Sequence, residues 1–205
     1  VGLGYEWLMG KYSSEAANWD SAHFNNPYYL QVVSAGNDGQ QSYSGPSFSD
    51  YDKLTNEKNS KNNLVVANAY DPGITSSGEL TSLNINPSSS QGPTDDGRIK
   101  PDITGNGTLL YSPIDTETDA YDTSSGTSMA APNVAGSILL LQQYYNSVNN
   151  SFMKSATLKG LICHTADDNL NGNGPDPIYG WGLLNVKKSA ETILSASNGN
   201  AILSE

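Results

Sequence analysis

The stretch of this chain best suited to chemistry is Ser125-Gly126-Thr127-Ser128-Met129-Ala130-Ala131-Pro132-Asn133-Val134-Ala135-Gly136. A serine hydroxyl is a weak nucleophile. It becomes useful when its position is fixed, a base lies beside it and donors await the developing oxyanion. Gly126 lets backbone and substrate approach closely, and Ser128 falls at the start of an apolar helix, where free N–H groups and the helix dipole favour negative charge. Ala130, Ala131 and Ala135 are small enough for that helix to pack tightly. Pro132, four residues after Ser128, cannot donate the usual helical bond to the Ser128 carbonyl. An ordinary capped helix, Thr/Ser followed by alanines, is the other reading of the same residues. A second stretch, Ser34-Ala35-Gly36-Asn37, follows an apolar run. Asn37 is either the donor of a side-chain amide to an oxyanion or part of a plain Asn-Asp-Gly turn.

The elements that must hold these residues can be read from periodicity. Ser13 to Asn26 is expected as a helix, with Ser13/Ser14 as N-caps and Ala16, Trp19, Ala22 and His23 sharing a face. Tyr28 to Ser34 is expected as a strand ending in the turn residues Ala35 to Gly39, and Leu64 to Ala69 as a second strand. Between them, Gln40 to Asn63 reads as surface loop. Gly73 to Gly97 reads mainly as loop, with at most one short strand around Leu80 to Ile85. Thr127 to Val148 is the strongest helical pattern and reads as buried on most sides. Lys154 to Cys163 reads as a second, shorter helix or a helix-to-strand element, and Val186 to Ser195 as a terminal helix. Helices alternating with apolar strands predict an α/β fold, a doubly wound and mostly parallel sheet with helices on both faces.

Gly-Thr-Ser-Met-Ala-Ala-Pro-x-Val-Ala-Gly over 126–136 resembles the nucleophile motif of the subtilisin-like (S8) serine peptidases at every defining position. Ser34-Ala35-Gly36-Asn37, 91 residues before Ser128, is similar to the family's oxyanion-hole segment. Gln91 to Ile103 resembles the stretch leading toward the serine, and Tyr179 to Asn185 the one closing the domain. The resemblance implies a nucleophile at Ser128, an oxyanion donor at Asn37, and a substrate pocket walled by Ser34, Ala35 and Gly36 with Gly126 and Thr127 beside it. It implies a peptide or protein substrate, no cofactor for catalysis, and secretion. Arg98, Lys100 and Asp102 otherwise read as a solvated charged turn.

The order in subtilisin is Asp, then His, then Ser, and only 36 residues precede Asn37 here. His23 lacks the family's glycine-rich context, and His164 follows the serine in a segment that reads as core. The expectation is therefore that residues 1–205 are the C-terminal portion of one peptidase domain, with the N-terminal part absent and a further segment or chain carrying the Asp and His. The rival expectation is a non-catalytic peptide-binding or scaffold domain.

Composition bounds the remaining classes. A formal charge of −11, from 10 basic and 21 acidic side chains, repels phosphate backbones and anionic lipid, so neither nucleic acid nor a membrane is an expected partner. One cysteine, Cys163, excludes an intrachain disulfide and reads as an inert buried thiol on a strand, pointing away from His164. Asp167, Asn169, Asn171 and Asn173 alternate oxygen-bearing side chains, as a structural calcium loop would, or as an Asn/Gly turn does. Asn106-Gly107-Thr108 and Asn149-Asn150-Ser151 fit glycosylation sequons.

Overall fold

Every residue from Leu64 to Ala69 is buried, as a strand covered on both faces requires. The computed structural model describes residues 6–44, 46–48, 50–169 and 174–199. Its central sheet has three parallel strands in the order β1 (Val32–Ser34), β2 (Leu64–Ala69), β5 (Ile103–Asn106). Val32 pairs with Leu64, and Val66 with Ile103. Two small antiparallel hairpins flank it: β3 (Gly73–Ile74) with β4 (Leu80–Ser82), and β6 (Leu110–Pro113) with β7 (Tyr121–Ser124).

Side chains alternate across β2. Leu64 and Val66 enter a core shared with Val134, Ile138 and Leu141, whereas Val65 meets Ala35 and Leu54 on the other face. The first face is covered by α2 (Thr127–Asn149), α3 (Ser155–Thr165) and α4 (Val186–Ser197). Burying each large aliphatic side chain there contributes roughly 1.5–3 kcal/mol. On the second face the 50–63 segment lies over the sheet. It is tied to α1 (Ser14–Asn25) through Ser60, whose Oγ donates to the Ala16 carbonyl, and through Asp20, which accepts from the N–H groups of Lys61 and Asn62. The α/β class with a parallel sheet is as expected.

Several local expectations differ from the structure. Only Val32–Ser34 pair as strand, because the chain from Tyr28 reaches the sheet through a turn in which Tyr29 N–H donates to Asn26 O. The 40–63 segment is not simply surface: Asp52 to Thr55, Asn59, Ser60 and Asn63 are buried, with a 3-10 turn at Asn56–Asn59. Lys100 and Asp102 are not a solvated turn. Asp102 accepts from Lys100 Nζ (2.6 Å) and Val65 N–H (2.7 Å) and pairs with Lys159 (2.8 Å), all buried or nearly so. Burial alone would raise its carboxyl, but the two lysines hold it below the usual carboxylate range. Helix α2 is buried along one face only, and Leu139 and Leu140 are exposed. Cys163 and His164 lie on a helix, not a strand, and His164 is exposed. Burial pushes the half-buried Cys163 thiol up to about 12, which keeps it inert.

Candidate active site

Ser128 is the second residue of α2, at the end of the sheet where the parallel strands finish, and it is exposed. That is the end at which ligands bind in open α/β sheets. Gly126 caps the helix at φ 153°, an orientation that suits glycine, and its N–H donates to Gly107 O at 2.9 Å. As a residue of the first turn, Ser128 has no helical acceptor for its N–H. Pro132 lies inside the helix, so the Ser128 carbonyl lacks its usual helical donor.

Thr127 joins the two loops. Its N–H and its Oγ1 both donate to Asn37 Oδ1, each at 3.1 Å, while Oγ1 accepts from Gly36 N–H at 3.1 Å. With Oδ1 held by two donors, the Asn37 amide can only turn its Nδ2 hydrogens outward, and Asn37 is exposed. A Cβ placed on Gly126 would come within 3.4 Å of that Nδ2. The amide thus lies against the residue that caps α2, two positions before Ser128. An arrangement of donors around a hydroxyl can stabilise negative charge developing on a neighbouring carbonyl oxygen.

The junction is braced from behind by residues that the sequence reading did not single out. Ser90 clasps the asparagine loop, its N–H donating to Gly36 O at 2.9 Å and its Oγ accepting from Asp38 N–H at 3.0 Å. Lys53, buried, donates from Nζ to Gly39 O. Gly107 lies so close to the first turn of α2 that a Cβ there would meet Ala130 N at 2.6 Å. The closely spaced glycines of Gly105-Asn106-Gly107 after a strand are a sequence sign of such an approach. Nothing in the serine run around Ser90 marks it.

Of the residues expected at the site, Asn37, Gly126, Thr127 and Ser128 converge, and Gly36 joins them through Thr127. Ser34 ends β1, half-buried, and Ala35 is buried just beyond it. Neither histidine joins them. His23 is on α1, which precedes β1, and is buried with Trp19 and Tyr29 stacked on it. His164 lies on α3 beside Lys188 and Glu191. Among the described residues no acid or imidazole hydrogen-bonds Ser128. In the oxygen-rich loop, Asp167 is already engaged by Lys188 and by Asn185 Nδ2, and Asn169 Nδ2 donates to Asp176. Asn171 and Asn173 lie outside the described residues.

Known proteins resemble this chain. The model of the subtilase family, Peptidase S8, matches residues 3–182. Pyrolysin of Pyrococcus furiosus is 35% identical over 129 residues, 60% of this chain and 9% of that protein. A PII-type proteinase of Lacticaseibacillus paracasei is 44% identical over 119 residues, 51% of this chain and 6% of that one. An extracellular serine protease of Serratia marcescens is 37% identical over 67 residues, 33% of this chain and 6% of the relative. The chain therefore spans less than a tenth of the length of these relatives. Among solved structures, the CspB protease of Clostridium perfringens superposes with a TM-score of 0.59 at 27% identity, over 71% of this chain and 30% of that one. The self-cleaved protease domain of PatA gives 0.66 over 95% and 59%, and at 19% identity that likeness concerns the fold alone.

Proposed function

This chain belongs to the subtilase family, and from that premise we propose that it supplies the nucleophile and the oxyanion hole of a serine endopeptidase. The observation that carries the reading is the double anchoring of Asn37 Oδ1 on Thr127, the residue before Ser128, which leaves Nδ2 free to face outward. In this mechanism Ser128 Oγ attacks the carbonyl carbon of the scissile peptide while its proton passes to an imidazole. The carbonyl oxygen becomes an oxyanion held by Asn37 Nδ2 and the Ser128 N–H. The C–N bond breaks as the imidazolium gives the proton to the leaving amine, and water attacking the acyl-serine completes hydrolysis by the same transfers. Ser34, Ala35 and Gly36 wall the pocket for the side chain preceding the cleaved bond, with Gly126 and Thr127 beside it. No step needs a cofactor.

The imidazole and the acid that orients it come from a segment outside these residues, since His23 and His164 lie away from Ser128. The edge of β1 that is unpaired among the described residues and the exposed apolar side chains of α2 are the surfaces such a segment would cover. We place the whole protein outside the cytoplasm because one relative bears the name extracellular serine protease.

The test uses the full-length protein and a fluorophosphonate, which reacts only with activated serines. The expected result is a single labelled peptide containing Ser128, with both labelling and peptide hydrolysis lost in Ser128→Ala. A folded full-length protein that takes no label would sink the catalytic reading and favour a non-catalytic peptide-binding scaffold.

A further inference from the structure

The hairpin formed by β6 and β7 presents an ordered aromatic surface to solvent. Tyr111 pairs with Thr123 and Pro113 with Tyr121, so Tyr111 and Tyr121 sit diagonally across the two strands on one face. Their rings stack with 5.4 Å between centres and 25° between planes, yet the residues stay 71% and 53% exposed. Each ring is thus held in place by the other and not by burial. Leu109, 72% exposed, extends this apolar surface at the base of the hairpin. Asp115, Glu117, Asp119 and Asp122 lie at the tip and on β7, all exposed. None of these carboxylates has an ion-pair partner among the described residues, and the sequence holds no basic residue between Lys100 and Lys154.

The base of the hairpin is continuous with the segment that carries Ser128. Leu109 N–H donates to Ser125 Oγ at 2.9 Å, and Gly126 N–H to Gly107 O at 2.9 Å. Ser125 is three residues before Ser128. The sheet order β1-β2-β5 then gives a direction. The loop after β1, which carries Asn37, lies on one flank of the row, and the hairpin that follows β5 lies on the other. On the peptidase reading, the side chain preceding the cleaved bond rests against Ser34, Ala35 and Gly36 at the first flank. The residues after the bond therefore leave toward the hairpin.

We propose that the exposed face of this hairpin receives the part of the substrate that follows the cleaved bond and selects Lys or Arg there. Tyr111 and Tyr121 offer ring faces to the cation and a surface for its apolar stem. The four carboxylates supply the complementary charge, which salt screens because the groups are exposed. This inference rests on the peptidase reading and adds a substrate class to it.

The experiment is digestion of a proteome-derived peptide library by the full-length protein, with the cleaved bonds read by mass spectrometry. Lys and Arg should be enriched in the residues after the cleaved bond. For a well-cut peptide from that library, replacing those Lys or Arg residues by Gln should lower kcat/KM by about tenfold, and by less as NaCl is raised. Tyr111→Ser with Tyr121→Ser should bring the two peptides to within about twofold of each other, and Asp119→Asn with Asp122→Asn should narrow the gap. Each ratio is taken within one variant, so a smaller folded fraction cancels. Cleavage without enrichment overturns this inference and leaves the peptidase reading standing, as does a ratio that the tyrosine pair leaves unaltered. Absence of any cleavage, with no fluorophosphonate label on Ser128, overturns both. A dimer of the full-length protein that Tyr111→Ser with Tyr121→Ser dissociates in sedimentation would give the face to a second copy and overturn the inference.

Discussion

Asn37 shows how one side chain is given a single orientation. Two donors from Thr127 fix its oxygen, so its NH2 group is left to face outward, and on the proposed mechanism it meets the oxyanion. Replacement by leucine should keep KM nearly unchanged while lowering kcat by roughly 10²–10³, the magnitude a subtilisin shows for such an amide. Steady-state kinetics on the full-length protein checks it, and a loss confined to KM would place Asn37 in substrate binding instead. Asp52 offers a different residue-scale test. It is fully buried, and desolvation, reinforced by Asp95 and opposed by the Ser47 N–H, pushes its carboxyl up to about 6. The folded state therefore binds this proton more tightly than the unfolded chain, whose aspartate titrates near 4. The stabilisation from protonation is complete below about pH 4, declines as pH rises to about 6, and is absent above it. The change is on the order of 3 kcal/mol. Asp52→Asn should flatten that slope in denaturant titrations and raise the midpoint at pH 7.

At the scale of elements, the site is a junction between the loop after β1 and the start of α2, held by Thr127. In Thr127→Val the Gly36 N–H loses its acceptor and Asn37 Oδ1 loses one donor, which should cost about 1–3 kcal/mol. Activity in the full-length protein should fall further than stability explains, because the amide is then free to turn. Gly107→Ala attacks the same junction from behind: its Cβ would meet Ala130 N at 2.6 Å, and the overpacking should cost about 1–3 kcal/mol in urea unfolding. The first turn of α2 was legible in the sequence because Gly126, Ser128 and Pro132 have distinct backbone demands. Its braces were not. Ser90 and Lys53 act through ordinary hydrogen bonds to carbonyls and N–H groups of a loop about 50 and 15 residues away, and their identity carries no local signature.

Across the whole molecule, two surfaces are unsatisfied among the described residues. Strand β1 has a free edge, and Tyr28, Leu139, Leu140 and Phe152 form an exposed apolar group around a second cavity and the adjoining face of α2. Exposed patches and strand edges of this kind drive association. Residues 1–205 expressed alone should self-associate in sedimentation velocity runs, and Leu139→Glu with Leu140→Glu should shift the distribution toward monomer. A monomeric wild-type chain would show that the surface is tolerated as it stands.

Taken by itself, the sequence determined which residues could do chemistry and which elements would carry them. Apolar runs such as Leu64 to Ala69 admit one covered strand, and the glycine, serine and proline spacing of 126–132 admits few backbone paths. Only the tertiary structure decided what lies next to what. It turned Lys100 and Asp102 from an apparent surface turn into a buried ion pair, because β2 and α3 close over them. It drew Asp52 to Thr55, Asn59, Ser60 and Asn63 inside and left one face of α2 open. These outcomes depend on contacts between segments far apart in the chain, whose free energies no local pattern of residues encodes.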